Sequence, residues 1–369
     1  MSINLPIYMN YTQNINYTFL VYKILKWYDI HKRDLPWRHT KDPYKIWLSE
    51  ILLQQTRVDQ GLPYYIKFIK TFPDIQSLAE ADEQHVLGLW QGLGYYSRAR
   101  NMHASAKRIV SEYNSKIPNS YQELLKLKGI GKYTAAAIAS LAFGEKVAVV
   151  DGNVYRVLSR FLGIETDIAS NAGQKEFFNK AQELMPDKNG HIYNQAIMEF
   201  GALHCTPKNP QCDTCPLQTQ CYAYKYNLQT LLPRKEKKTV KRNRYFNYLL
   251  FKKGNNFLLK ARKDKDIWQG MYEFYLLEDT KLATVEDLLT KNFKSSFIKS
   301  FIITKECTEV RHVLSHQNIF SKAWCIEVKD AGIFNKLIVM GLTSVHKKNL
   351  KALPKPVLIT RFLEESAFI

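Results

Sequence analysis

The sequence predicts a multidomain chain: an all-α domain followed by an α+β domain. Three observations predict it. Up to about residue 225, apolar residues recur at helical spacing between Gly and Pro breaks. Residues 234–244, RKEKKTVKRNR, then interrupt that pattern with seven basic side chains and one Glu. Beyond them Tyr245 to Lys252 alternates, Gly254-Asn255-Asn256 offers a hairpin turn, and Phe257 to Ala261 resumes as strand. The division is a tail over 1–16, a helical domain over 17–233, a basic linker over 234–244 and a mixed domain over 245–369. A length of 369 residues suits two such domains, each with its own core.

Lys and Arg number 53 against 34 Asp and Glu, a net charge of +19. That excess favours a polyanion, nucleic acid ahead of an anionic membrane surface, or else serves solubility alone. A hydrophobic content of 46% excludes a disordered chain. No apolar run approaches the ~18 residues that cross a bilayer. The N-terminus shows no basic segment ahead of an apolar core, so the chain is expected to stay inside the cell.

Residues 1–16 are rich in Asn and Tyr without a clear period. From Tyr17 to Arg33, Leu20, Ile24, Trp27 and Tyr28 form the apolar stripe of a helix. Asp34-Leu35-Pro36-Trp37-Arg38 is expected as a loop, since Pro36 disfavours helix. Trp37 beside Arg38 reads either as a base-stacking pair or as ordinary packing. In the segment Ile46 to Arg57, Glu50 sits among strongly apolar neighbours. Its carboxyl either has a structural partner or keeps its proton near neutral pH, as a general acid requires. Gln54 and Gln55 close the segment with flat, neutral amides suited to entering a base stack. Residues 61–93 read as short helices broken at Pro63, Pro73 and Gly88. Gly92-Leu93-Gly94-Tyr95-Tyr96-Ser97-Arg98-Ala99-Arg100 reads as an aromatic wedge beside phosphate contacts, or as a glycine turn covered by packed tyrosines. A basic helix follows, Arg98 to Tyr113.

The stretch Leu127 to Arg160 is the centre of the pattern. Gly129-Ile130-Gly131 opens an Ala-rich apolar helix, an arrangement whose backbone N–H groups attract phosphate. Asp151 ends the apolar run Val147 to Val150 and precedes Gly152. Helices are expected near 171–185 and 191–203, the second carrying Asn194, Gln195 and Glu199 among apolar residues. Cys205, Cys212, Cys215 and Cys221 follow with the spacing C-x6-C-x2-C-x5-C. In a reducing compartment four thiols in one short loop read as a metal centre, zinc or iron–sulfur, rather than two disulfides. Cys307 and Cys325 read as inert core thiols. In the second half, strands are expected at 271–277, 299–304, 311–320 and 323–328, and helices near 284–293 and 355–366.

Together these residues resemble the helix-hairpin-helix DNA glycosylases that hold a [4Fe–4S] cluster. The resemblance rests on Leu127-Lys128-Gly129-Ile130-Gly131-Lys132-Tyr133-Thr134-Ala135, on Val150-Asp151-Gly152-Asn153-Val154 and on the cysteine loop. It narrows to adenine glycosylases of the MutY type through Trp47-Leu48-Ser49-Glu50-Ile51-Leu52-Leu53-Gln54-Gln55-Thr56. It narrows further because Tyr133 stands where the related endonuclease III type has a Schiff-base lysine; Lys132 is one position away, about 100° around a helix. The second half resembles that family's Nudix-like domain, without the glutamate cluster of a Nudix hydrolase. Trp268 to Phe274 matches a family landmark, and His312-Val313-Leu314-Ser315-His316 matches the loop that senses 8-oxoguanine, with Leu314 in place of the usual Phe.

The resemblance implies a base-excision-repair enzyme, mainly monofunctional, that removes adenine mispaired with 8-oxoguanine or guanine in duplex DNA after flipping it out. It implies Glu50 as the acid and Asp151 as oxocarbenium stabiliser or nucleophile, with Tyr133 orienting or hydrogen-bonding Asp151. Trp37, Arg38 and Gln195 would line the adenine pocket, Gln55 and Tyr95 would wedge the stack, and Gly129 and Gly131 would hold a phosphate. Asn153 would contact the substrate strand, and Ser315 and His316 would read 8-oxoguanine. Cys205, Cys212, Cys215 and Cys221 would hold a [4Fe–4S] cluster ahead of zinc. The implied setting is a monomer in a bacterial cytoplasm, at the nucleoid, without a membrane. Two other readings stand beside it: an endonuclease III-like glycosylase/lyase acting on oxidised pyrimidines, and a metal-stabilised DNA-binding protein without catalysis.

Overall fold

A computed structural model of the chain describes residues 17–236 and 241–369. The tail expected over 1–16 and linker residues 237–240 lie outside the described residues. The chain divides into two compact units, one of residues 17–79 and 104–236, the other of residues 80–103 and 241–369. The segment 80–103, expected within the helical domain, packs with the second unit.

Regular structure up to residue 236 is helical. In chain order the helices are α1 (Tyr17–His31), α2 (Pro43–Leu53), α3 (Val58–Thr71), α4 (Ile75–Glu80), α5 (Glu83–Leu89), α6 (Ser97–Glu112) and α7 (Tyr121–Leu124). They continue with α8 (Lys132–Phe143), α9 (Gly152–Leu162), α10 (Asn171–Glu183), α11 (Gly190–Leu203) and α12 (Tyr222–Lys225). The stripe Leu20, Ile24, Trp27 and Tyr28 is buried, and α1 packs on α11. Behind α11, Val154, Val157, Leu158 and Phe161 of α9 complete one core with Phe177 of α10. Each of these side chains contributes about 1.5–3 kcal/mol by leaving water.

Two expected breaks are absent. Pro63 lies inside α3. A proline there forfeits one N–H bond to the Asp59 carbonyl, and burial of Tyr65 and Phe68 on the same helix outweighs that loss. Gly88 is the penultimate residue of α5 rather than a break. Pro36–Arg38, expected as open loop, forms a 3-10 turn, because proline fits a first helical position, where no N–H is needed.

The second unit centres on a mixed sheet in the order β3-β2-β1-β7-β5. Its strands are β1 (Arg242–Lys253), β2 (Asn256–Ala261), β3 (Tyr272–Glu273), β4 (Tyr275–Asp279), β5 (Phe301–Glu306), β6 (Val310–Val313), β7 (Gln317–Val328) and β8 (Thr343–His346). β1 starts at Arg242, so the last residues of the expected linker are strand. Six consecutive residues of β1, Phe246 to Phe251, are buried. The strand therefore has no solvent face, as expected of a central strand running parallel to its neighbour β7. On one side lie Leu358, Ile359, Phe362 and Leu363 of the helix Val357–Glu365; on the other lie Leu288, Leu289, Phe334 and Leu337 of the helices Val285–Asn292 and Ala331–Val339. The strands expected at 311–320 and 323–328 are redistributed. β7 runs unbroken from 317 to 328, and residues 314–316 form a hairpin tip that returns the chain from β6. The segment 80–103 joins this unit through the Gln84 amide, which donates to the Gly270 carbonyl at 3.1 Å, and through Arg100, which donates to the Gln269 carbonyl.

α9 ends at Gly163 in the left-handed region, φ +76, where a β-carbon would stand 2.6 Å from the Tyr222 ring. Gly163→Ala is expected to cost about 2 kcal/mol from strain and crowding. A thermal melt followed by circular dichroism checks it; an unchanged midpoint would mean that the ring yields freely.

Candidate active site

Glu50 sits on α2, whose start is set by Pro43 and by the Asp42 carboxylate, which accepts from the Tyr44 N–H at 2.9 Å. The helix is buried from Ile46 to Leu52, so Glu50 is interior although it carries an acid. Burial pushes its carboxyl up to about 7; the charge of Asp151 adds to the rise, while a hydrogen bond with Tyr133 and the charge of Arg38 oppose it. α2 packs on α8, and Gln54 at its end donates to the Thr134 hydroxyl at 3.1 Å.

Asp151 is the N-cap of α9. Its Oδ1 accepts from the backbone N–H of Asn153 at 2.9 Å and of Val154 at 2.8 Å, and its Oδ2 accepts from Asn153 Nδ2 at 2.7 Å. Burial raises its pKa, and these three donors pull it back toward the anion. Glu50 has fewer donors, so between the two the proton belongs on Glu50.

Tyr133, in the first turn of α8, faces both acids. Burial first, then the charges of Glu50 and Asp151, suppress its ionisation. Its hydroxyl stands 3.7 Å from Met198 Sδ and also bonds Glu50. A carboxylate is the far better acceptor, so we assign that proton to Glu50 rather than to the thioether. The hydrogen-bond donors to Asp151 come from α9, while the charges of Asp151 and Glu50 both act on Tyr133.

Beside these residues lies a second charged group. Arg38 donates to both Glu199 oxygens at 3.0 and 2.8 Å, and Arg33 donates to the same pair at 2.9 and 2.6 Å. Burial alone would raise Glu199; the two guanidiniums reverse that and hold it at about 2. Removing one partner from such a buried pair costs about 3–5 kcal/mol. Arg38 also lies 5.6 Å over the Tyr28 ring, whose hydroxyl donates to the Gln195 amide oxygen at 2.8 Å. Trp37 packs edge-on against Tyr65. Of the expected pocket residues, Arg38 and Gln195 thus meet in one cluster, while Trp37 is held by α3. Gln195, Met198 and Glu199 share one face of α11 at helical spacing. Sequence reasoning gave no role to Arg33, Met198 or Arg156; an acid at a buried helix position needs a cation, and that was the available signal for Arg33.

Arg156 joins these parts. Its guanidinium donates to the carbonyls of Cys205 and Gly201, both at 2.7 Å, and to the Asn153 side-chain oxygen at 2.8 Å. Gly201 permits the approach: a β-carbon there would stand 2.7 Å from Asn153 Cβ.

The remaining predicted residues fall at exposed turns. Gly129 has φ +81 and, like Gly131, is exposed, while Ile130 between them is buried. Gln55, at φ 58, is exposed. Tyr95 belongs to the second unit, with φ 49 and 48% of its surface exposed. Ser315 and His316 form the exposed tip between β6 and β7, with Ser315 Oγ 3.2 Å from His316 Nδ1, and Leu314 packs partly into the core below.

The four cysteines surround the loop after α11. Burial pushes Cys215 up to about 12 and Cys221 to about 11, and proximity to the other thiols raises both further, so gathered thiolates there need a cation. Among the described residues no group of three or more His, Cys, Asp or Glu side chains is arranged to hold a single metal ion. Four thiol donors in one short loop fit zinc or an iron–sulfur cluster. Arg160 Nη1 lies 3.4 Å from Cys205 Sγ.

Residues 48–186 match the model of the HhH-GPD superfamily base excision DNA repair protein, residues 247–365 that of the NUDIX domain, and residues 205–221 that of the iron–sulfur binding domain of endonuclease III. An adenine DNA glycosylase of Buchnera aphidicola subsp. Baizongia pistaciae is 35% identical over 342 residues, spanning 90% of this chain and 93% of the relative. The chain belongs to the adenine DNA glycosylase family. A second member, from Buchnera aphidicola subsp. Schizaphis graminum, is 40% identical over 264 residues, 71% of this chain and 76% of the relative. Among solved structures, a thermostable thymine-DNA glycosylase is 31% identical with a TM-score of 0.54, covering 57% of this chain and 97% of its own. Like its family, this chain is an N-glycosyl hydrolase with a helical glycosylase domain, a Nudix-like domain and a [4Fe–4S] cluster, whose binding domain spans residues 205–221.

An acid whose pKa lies at about 7 loses its proton as pH rises past that value. The single-turnover rate of base release should fall about tenfold per pH unit above it, and fall again at low pH where Asp151 gains a proton. A rate that climbs between pH 7 and 9 would instead make Glu50 the base of the first step.

Proposed function

We propose that this enzyme hydrolyses the N-glycosidic bond of adenine mispaired with 8-oxoguanine, or with guanine, in duplex DNA. The observation that carries this reading is the buried Glu50, which favours its proton, within the field of the half-buried Asp151, whose donors favour its charge. The bond is hidden in the stack, so the adenosine is extruded first. Gln55 and Tyr95 occupy the disturbed stack, and the Gly129 and Gly131 backbone holds a neighbouring phosphate without reading sequence. Arg38, Gln195 and Trp37 bound the base, and Asn153 holds Asp151 toward the sugar.

Glu50 gives its proton to adenine N7. The C1′–N9 bond breaks, its electron pair leaves with the base, and the sugar becomes an oxocarbenium ion. The Asp151 carboxylate stabilises that cation or bonds to it transiently. Tyr133 donates to the newly ionised Glu50, which then takes a proton from the water that attacks C1′. The cluster supplies no step; when bound, it fixes the loop to which Arg156 is tied. No lysine stands at the Tyr133 position, and Lys132, one residue earlier, is exposed, so β-elimination of the strand is weak.

Glu50→Gln and Asp151→Asn should each lower adenine release by at least about 10³-fold while duplex binding persists, read by single-turnover assay on an A:8-oxoguanine duplex. Near-normal release by either variant overturns the assignment. His316→Ala should erase the preference for 8-oxoguanine over guanine opposite adenine. Equal discrimination in that variant removes the hairpin tip from recognition.

A further inference from the structure

The first unit contains a cavity of about 660 Å³ beside the catalytic residues. It shares two walls with them, the Tyr133 ring and Val150, the neighbour of Asp151, yet neither Glu50 nor Asp151 lines it. Its size lies within the ~300–1,000 Å³ of small-molecule sites.

The lining has three kinds of surface. Tyr133, Tyr155 and Phe178 give it aromatic walls. Lys132 and Lys175 add two ammonium groups, both on exposed residues, and no carboxylate lines the cavity to neutralise them. Asn171 and Gln174, from the first turns of α10, add two side-chain amides. Each surface suits one part of a nucleotide. A base stacks on an aromatic face for about 1–3 kcal/mol. A side-chain amide matches the N6/N7 edge of adenine with paired hydrogen bonds. Ammonium groups hold phosphate by charge-assisted bonds.

We infer that this cavity is a second nucleotide site, which accepts a purine nucleoside phosphate with its base against Tyr155 and Phe178 and its phosphate between Lys132 and Lys175. The inference rests on the cavity alone and goes beyond the proposed excision of adenine. Two sources share this chemistry: a free mononucleotide, or the nucleotide next to the target in the bound strand.

The test uses the full-length protein with its cluster and dAMP as the probe, in equilibrium dialysis. dAMP should bind saturably at one site, with adenine alone and inorganic phosphate each weaker by at least about tenfold, roughly one charge-assisted bond. Lys175→Glu, an exposed substitution whose folding is checked by circular dichroism, should weaken dAMP by about tenfold or more, and Gln174→Ala by less. Absence of saturable binding, equal binding by Lys175→Glu, or phosphate alone binding as well as dAMP each overturns the site. Duplex binding with saturating dAMP then separates the sources. Competition that disappears in Lys175→Glu assigns the strand nucleotide, and unchanged duplex affinity assigns the free one. Both of these results support the site, and whether adenine is released does not enter either readout.

Discussion

One buried acid and one half-buried acid, each within the other's field, set the terms for everything around them. A protein interior does not sustain two bare negative charges side by side, so one of the pair must keep its proton. Which one is decided by a helix end. The first turn of α9 presents N–H groups that no helical carbonyl can use, and Asp151 takes them. Glu50 lies mid-helix, where the backbone has no donors to spare, and finds a phenol instead. An acid and an anion thus follow from where each residue falls relative to a helix terminus. The local sequence, Asp-Gly-Asn-Val against Ser-Glu-Ile-Leu, dictates those positions.

The support for this asymmetry reaches well beyond the two side chains. Asn153 donates to Asp151 through both its backbone N–H and its side-chain amide, and Arg156 holds Asn153 while bonding the carbonyls of Gly201 and Cys205. The backbone of the cysteine loop is therefore two hydrogen-bonded side chains away from the reacting carboxylate. Arg160 repeats the arrangement one helical turn later, donating to the Thr206 carbonyl and to Cys205 Sγ. Two arginines on one face of α9 thus bind the loop.

Much of this was legible in the sequence, and the reasons differ by residue. The stripe of α1 obeys the 3.6-residue period because one helix face meets one core. The cysteine loop is legible because its ligands are local in sequence. The helical and mixed halves were separable by period alone, and the basic run marked the change. What escaped was non-local. Nothing near Arg33 announces Glu199, 166 positions away. Nothing local to Tyr133 announces Glu50, which α2 delivers to it through tertiary packing. Pro63 escaped because a local rule met a buried face that outweighed it, and the 311–320 strand was read as continuous although its polar tip had to turn. The segment 80–103 reads as part of the helical domain; its association with the second unit depends on contacts such as Gln84 with Gly270 that no period encodes.

Gln55 has a further consequence. A residue with a β-carbon held at φ 58 sits in a sparsely populated conformation, disfavoured by about 1 kcal/mol or more. Its predecessor Gln54 is fastened to Thr134, which leaves the turn little freedom to relax. The strain is carried by the folded protein at all times rather than created on contact with DNA. The backbone of this turn is therefore fixed by the fold itself, and any group that meets Gln55 meets a geometry already in place.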